Sequence, residues 1–264
     1  MGTLTSKTAI VTGASRGIGR AIAERLAADG ARVVLAARDE AVLTEAVSKI
    51  NGAGGEAASL ALDLRREDAP GKLAAFAVET FGGIDIVVNN AGATKRGDFL
   101  TLTEEDWADG FALKFYAAVR LSRAAWPHLK ASDLKASGGS ILNIVGVGGR
   151  TPGAEFAIGG SVNAAILSLT KALAGRGVTD GVQVNAINPG PVRTDRFART
   201  LAARADAERV DAVEAEKRMV QAAGITRVGE PEDIAALAAF VVSPAGRLLQ
   251  GSLLDMDGGQ TKTI

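Results

Sequence analysis

A chain of 264 residues, 47% hydrophobic and 23% charged, can bury a substantial core as one large open α/β sheet or as two smaller domains. Thirty basic residues balance thirty acidic ones, which argues against the broad basic footprint of electrostatic nucleic-acid binding. The absence of cysteine excludes disulfides, thiolate metal sites, iron–sulfur clusters and a cysteine nucleophile, and the single histidine, His128, leaves little for a zinc site or a Ser-His-Asp triad. No apolar run approaches the roughly 18–20 residues that span a bilayer; the longest, Ile234–Val242, has the length of a buried helix face. With no charged segment followed by an apolar one at the start, a cytoplasmic location is expected, with neither membrane nor nucleic acid as partner.

Apolar strand-like runs alternate with amphipathic helical stretches nearly end to end. Thr8–Thr12 leads into a helix predicted over Gly17–Asp29, Arg32–Ala36 into Glu40–Asn51, and Ala57–Leu62 into Ala69–Phe81. Ile84–Asn89 is followed by one long predicted helix, Glu104–Lys130, and Ser140–Val145 by Gly160–Gly175. Gln183–Asn188 precedes a charge-dense helical stretch, Asp195–Ala223, after which come the helix Pro231–Val242 and the run Ser252–Met256. Short strands separated by helix-length segments specify βαβ units and a parallel sheet. No Pro/Ser-rich linker, repeat or low-complexity tract interrupts the chain, so residues 1–264 are predicted to form a single domain. Ligands of open α/β sheets bind outside the carboxyl ends of the strands, and the insertion at about 195–223 is therefore predicted to overhang that crevice as a lid.

The first run ends in Thr12-Gly13-Ala14-Ser15-Arg16-Gly17-Ile18-Gly19, and a helix follows at once. Glycines at 13, 17 and 19 permit a tight turn and a close backbone approach to a pyrophosphate, with the helix N-terminus supplying free N–H groups and a positive dipole end. A glycine trio alone is an ordinary turn; its place between the first strand and the first helix makes it a dinucleotide signal. Asp63-Leu64 follows the third run, Asn89-Asn90-Ala91-Gly92 the fourth, Asn188-Pro189-Gly190-Pro191-Val192-Arg193-Thr194 the sixth, and Asp257-Gly258-Gly259 lies near the end. In order and spacing these motifs resemble those of the short-chain dehydrogenase/reductase family, over nearly the whole chain.

The resemblance implies a three-layer Rossmann-type α/β fold with a seven-stranded, mostly parallel, doubly wound sheet and a nicotinamide cofactor across the strand ends. By the same resemblance, Gly13, Ser15, Arg16, Gly17, Ile18 and Gly19 meet the phosphates, and Asp63 and Leu64 flank the adenine. Asn90, with Ala91 and Gly92, lies beside the ribose, and Pro189, Gly190, Val192 and Thr194 hold the nicotinamide carboxamide. A homotetramer or homodimer is also implied. Cofactor choice follows from charge. NAD selection usually places a carboxylate at the end of the second strand, on the ribose 2′-hydroxyl. Here that end reads Ala36-Ala37-Arg38, and Arg16 in the glycine turn adds a second cation. Two guanidinium groups suit a 2′-phosphate, so NADP(H) is favoured over NAD(H).

The family's chemistry is hydride transfer between nicotinamide and a carbonyl or alcohol, supported by an Asn-Ser-Tyr-Lys set. Local alignment puts Lys114 at the asparagine position, Gly146 at the serine, Gly159 at the tyrosine and Asn163 at the lysine. All four positions are changed. The only tyrosine, Tyr116, is two residues from Lys114, so on a regular helix they point roughly 200° apart and Tyr116 is expected in a helix interface. Glycine can neither donate a proton nor stabilise an alkoxide, and two glycines are expected to enlarge the pocket. Two readings of the remaining pair stand: Lys114 and Asn163 exchange roles across the nicotinamide, or Lys114 extends to solvent and Asn163 is a plain helix residue. The second is the expectation, because exposed lysine is the common case. Lys95, Arg150 and Glu155 are expected on loop surfaces.

On the lid, Arg196 and Arg199 share a helix face while Arg204 sits roughly 140° around; the group could steer an anionic small-molecule substrate, although Asp206 and Glu208 suggest a solvated face. Three functions follow. One is an NADP(H)-dependent oxidoreductase moving hydride to or from an activated carbonyl, quinone or conjugated substrate by a non-standard proton path. Another is a catalytically inactive, cofactor-binding relative acting as sensor or assembly subunit. The third is an enzyme of another class that keeps the nucleotide as a structural or transient redox group. The first is favoured, since an activated acceptor asks less of a proton donor.

Overall fold

Each apolar run becomes a strand of one sheet in a computed structural model that describes residues 2–132 and 138–263. The strands are β1 (Thr8–Thr12), β2 (Arg32–Ala37), β3 (Glu56–Ala61), β4 (Ile86–Asn89), β5 (Gly139–Ile144), β6 (Val182–Pro189) and β7 (Leu253–Met256). Their order is β3-β2-β1-β4-β5-β6-β7, and every pairing is parallel. The sheet is thus parallel throughout rather than mostly so. The chain winds outward from β1 to β3 and then crosses to β4, which makes the β1/β4 boundary the topological switch point.

Strand side chains alternate between faces, and each face is covered by helices. Val11, Val33, Leu35 and Val88 pack with Ile22 and Leu26 of α1 (Gly17–Ala28), Leu43 of α2 (Glu40–Gly52) and Ile234 and Val241 of α9 (Pro231–Val242). Ile10, Val34, Val87, Ile141 and Val184 pack on the other face with Leu73 of α3 (Ala69–Phe81) and with Leu121 and Leu129 of α5 (Ala117–Ala131). Each fully buried Leu, Ile or Val of this kind contributes about 1.5–3 kcal/mol. Three layers result, a doubly wound Rossmann-type α/β fold.

Three helical expectations are revised. The stretch predicted as one helix over 104–130 is α4 (Glu104–Gly110), a π-helical segment Phe111–Tyr116, and α5. The helix expected at 160–175 is α6 (Ala157–Asp180), and Ala154–Asp180 is long and apolar enough, by length and composition, to cross a membrane. Its Ile158, Val162 and Ile166 pack with Val145 and Ala186. The stretch 195–223 is two helices, α7 (Asp195–Glu208) and α8 (Ala212–Ala223). Arg209 turns left-handed at φ 54°, and the Asp211 carboxylate accepts from the Glu214 N–H at 2.8 Å, so a cap inside the charged run restarts the helix.

Candidate active site

The glycine turn is stitched to the end of β4. Thr12 Oγ1 accepts from the backbone N–H groups of Asn90 (2.9 Å) and Ala91 (3.0 Å), while Asn90 Nδ2 donates to the carbonyls of Thr12 (3.0 Å) and Gly13 (3.3 Å). Gly13 takes φ +64°, and a Cβ on Gly19 would lie 2.4 Å from both Asn90 Nδ2 and the Gly13 oxygen. Only glycine fits there. Arg16 stands at the N-cap of α1 with no side-chain cap, so the first N–H groups of the helix remain free at its positive end. Ser15 is buried and Ile18 half-buried beneath the turn. The Arg16 guanidinium rests between Asp195 (3.5 Å) and Asp39 (4.0 Å), and Arg38 meets no carboxylate within 4 Å among the described residues. Burial pushes the Asp63 carboxyl up, but the Arg65 N–H and guanidinium, together with Arg38, more than offset it and hold it below its ordinary value. Leu64 is buried, lining with Thr12, Asn89, Ala91, Leu113 and Lys114 a narrow cleft beneath the switch point.

At the carboxyl end of β6, Pro189 closes the strand, and the Gly190 N–H donates to the Met256 carbonyl at 3.2 Å. A Cβ on Gly190 would come within 2.8 Å of Asp257 Cα, so the glycine lets the Asp257-Gly258-Gly259 loop close against it. Val192 is buried and bridges to Gly229, and Thr194 caps α7, accepting from the Phe197 N–H at 3.4 Å. Arg193 reaches outward to Glu216 (2.5 Å) and Glu230 (2.8 Å), tying the loop to α8 and to the start of α9.

Lys114 turns inward. Its Nζ donates to the Val145 carbonyl and to Asn163 Oδ1, each at 2.6 Å. Asn163 is buried, and a Cβ on Gly92 would lie 2.8 Å from Lys114 Cδ, so the glycine makes room for the lysine stem. Burial lowers the Lys114 pKa to about 7, with the nearby Arg196 charge adding to the shift. The expectation of a solvent-extended lysine beside an idle asparagine is therefore overturned: two acceptors at the end of β5 and on α6 draw the ammonium in. Lys114 lies in the π segment, a helical irregularity that recurs at functional sites. Tyr116 is 48% exposed, edge-on to Phe115 and under Arg120, not packed in a helix interface of this chain.

Gly159 does not open the pocket as expected, while Gly146 leaves only ordinary contacts, at 3.4 and 3.8 Å, where a Cβ would stand. A Cβ on Gly159 would lie 2.0 Å from Phe156 Cζ, so the Phe156 ring already fills the space where a side chain at 159 would begin. Gly146 takes φ +122°, a conformation side chains rarely adopt, and a serine there would be strained. Over the Phe156 ring, at 4.3 Å, lies the Arg96 guanidinium, while Arg196 donates to the Gly92 carbonyl at 2.8 Å. Lys95 pairs with Asp106 (2.8 Å) on the surface, and Glu155 is exposed. Arg150 is not a loop-surface residue: three-quarters buried, it reaches Asp255 of β7 at 3.4 Å. Of the lid arginines, Arg204 is neutralised by Glu208 (2.5 Å).

Beneath the site runs a buried polar chain. Asn89 Nδ2 donates to Ser122 Oγ (3.3 Å) and Asn143 Oδ1 (2.9 Å), and Asn143 Nδ2 donates to Thr170 Oγ1 (2.9 Å). It ties α5, β4, β5 and α6 together and so fixes the helices on which Lys114 and Asn163 stand. Phe156, Arg96 and this chain escape a reading of the sequence. The available signal is an aromatic residue three positions before a glycine at a helix start, which pairs a large side chain with an absent one.

A family model described as enoyl-(acyl carrier protein) reductase matches residues 13–261. An uncharacterized oxidoreductase of Mycobacterium tuberculosis is 38% identical over 98% of this chain and 93% of its own length. L-sorbose reductase from Gluconobacter frateurii, solved with NADPH and L-sorbose, superposes with a TM-score of 0.93 at 31% identity, covering 100% of this chain and 99% of that one. A short chain dehydrogenase from Burkholderia cenocepacia in complex with NADP gives a TM-score of 0.85 at 33% identity over 98% of this chain and 99% of that one. The chain belongs to the short-chain dehydrogenase/reductase family.

Proposed function

We propose that the protein is an NADP(H)-dependent oxidoreductase that moves hydride to or from an activated carbonyl, quinone or conjugated small molecule, with Lys114 in place of the family's tyrosine as proton donor. The observation that carries this reading is the Lys114 ammonium, held by Val145 O and Asn163 Oδ1 at 2.6 Å each. The cradle fits a dinucleotide: a helix N-terminus without a cap, glycines where a Cβ would collide, and two guanidinium groups, Arg16 and Arg38, at the end of β2. Asp63 and Leu64 would flank the adenine, Asn90, Ala91 and Gly92 the ribose, and Pro189, Gly190, Val192 and Thr194 the carboxamide. The nicotinamide, when bound, supplies or accepts the hydride.

The chain's own contribution is a proton. Two of the three ammonium N–H bonds are taken by Val145 and Asn163, which leaves one for a substrate oxygen. A lysine with a pKa of about 7 can give that proton up near neutral pH, where an ordinary lysine at 10.5 would retain it. The helices α7 and α8 would cover the bound substrate.

A fluorescence titration with NADPH and NADH, followed by NADPH oxidation with a panel of quinones and 1,2-dicarbonyls, tests the proposal. The expected result is NADPH binding with turnover, and in Lys114→Ala a rate loss of about 10²–10⁴-fold with NADPH affinity kept. The filled position beside Gly159 favours a second reading, an inactive cofactor-binding relative serving as sensor or assembly subunit. NADPH binding without turnover would select that reading, and no binding of either nucleotide would overturn both.

A further inference from the structure

Lys114 and three arginines border the mouth of the site, and among the described residues no carboxylate lies within 4 Å of any of them. Lys114 and Arg196 share Gly92: the lysine stem lies against its α-carbon, and Arg196 Nη2 donates to its carbonyl at 2.8 Å. Arg96 lies 4.3 Å over the Phe156 ring, which fills the space beside Gly159 on the same wall. Arg199 stands one helical turn beyond Arg196 on α7, on the same face. Among the described residues, Arg96, Arg196 and Arg199 meet no carboxylate within 4 Å, and neither does Arg209 at the break between the lid helices, whereas Arg204 and Arg218 on α7 and α8 both do. Of the acids nearby, Asp195 faces Arg16, Asp106 holds Lys95, Asp98 accepts from the Leu100 N–H, and among the described residues neither Asp98 nor Glu155 has a cation within 4 Å. Burial, and then the charges of Arg199 and Arg96, lower the Arg196 pKa, so the three guanidinium groups repel one another in the free protein. An unbalanced trio at the rim of a site is relieved by an anion from outside.

We propose that the substrate carries a carboxylate close to its reacting carbon, as an oxo acid in the reducing direction or a hydroxy acid in the oxidising one, and that Arg96, Arg196 and Arg199 receive the carboxylate. The inference rests on the oxidoreductase reading above. The spacer between the two groups must be short, because the proton donor and the nearest guanidinium flank a single residue, Gly92. In reduction the carbonyl π bond breaks, its carbon gains a hydride and its oxygen the Lys114 proton, with NADPH oxidised to NADP⁺ and the carboxylate unchanged. An adjacent carboxylate and carbonyl also make an activated acceptor, the kind that asks least of a weak acid.

Calorimetric titration of the protein, alone and with NADP⁺, with phenylglyoxylate and with its methyl ester tests the site without turnover. The acid is expected to bind about tenfold or more tightly than the ester, with a preference that shrinks as salt is added. Arg196→Ala and Arg199→Ala are expected to abolish the preference, and Arg204→Ala, whose guanidinium is already paired, to keep it. Equal binding of acid and ester, or a preference that survives in both site variants, overturns the inference. So does a loss of NADP⁺ affinity in Arg196→Ala without any change in the preference, since that arginine then serves the cofactor. Quinone-dependent NADPH oxidation alongside equal binding sinks the carboxylate site alone. A carboxylate preference in a protein that never oxidises NADPH leaves the anion site standing and sinks the enzyme.

Discussion

Lys114 holds its ammonium within 2.6 Å of two acceptors, and a charge so placed couples stability to pH. Its pKa falls from an ordinary 10.5 to about 7, burial first and the Arg196 charge second. Below pH 7 folded and unfolded chains both carry the proton, and the folded state bears the full cost of the buried charge. Between about pH 7 and 10.5 the unfolded chain keeps a proton that the folded chain has released, so stability from this group rises with pH across that window. Lys114→Met removes the coupling. Its melting temperature relative to the unsubstituted protein is expected to be highest near about pH 6 and to decline steadily toward about pH 9, on top of a constant offset from the lost hydrogen bonds. Scanning calorimetry at several pH values checks this, and a difference that does not vary with pH would mean that Lys114 does not titrate in the folded state. At this scale the sequence identifies which residues stand at 114, 146, 159 and 163. It is silent on what fills the space of a missing side chain, because the Phe156 ring reaches Gly159 through three dimensions and not through alignment.

Elements were legible wherever one periodicity dominates. The strands are short apolar runs, and Ala69–Phe81 and Pro231–Val242 have the predicted limits because a proline near each start and a turn beyond each end mark them. The π segment has no such mark, since a single wider turn leaves the apolar spacing of a long helix almost unchanged. Nor did charge density reveal that 195–223 breaks at Arg209, although Asp211 followed by Glu214 is a capping signal in retrospect. The second of those helices, α8, is tied to the loop before α7 by Arg193, which reaches Glu216 at 2.5 Å and, at the start of α9, Glu230 at 2.8 Å. Exposed ion pairs of this kind contribute at most about 1 kcal/mol each. Arg193→Ala is therefore expected to change the melting temperature by only a few degrees, yet to speed thermolysin cleavage within 195–223 about threefold or more, because local opening of a surface element needs far less energy than global unfolding. Mapping the cleavage sites over time measures it. An unchanged rate would show that α7 and α8 are held by their packing and not by Arg193.

The whole molecule gathers its candidate ligand groups at one edge because a parallel sheet points every strand's carboxyl end the same way. At the β1/β4 switch point that edge presents an uncapped helix N-terminus, and β2 ends beside it with Arg38 and no carboxylate. On the proposed reading, this edge would receive a nucleotide carrying an extra phosphate on its ribose. Arg38 has no ion pair to give up, and the Arg16 pairs, at 3.5 and 4.0 Å and more than half exposed, cost little to exchange. Each guanidinium should thus add a charge-assisted contact that NADH cannot make. Arg38→Ala and Arg16→Ala are each expected to weaken NADPH binding about tenfold while leaving NADH binding within about twofold, and the double variant to lose the preference. Because a ligand that binds only the folded state stabilises it by mass action, the same ranking should appear as a smaller NADPH-induced rise in melting temperature. If the single variants weakened both nucleotides equally, the arginines would be serving the pyrophosphate that NADPH and NADH share. In that case the end of β2 would carry no selectivity, and the preference would have to come from elsewhere on the strand edge.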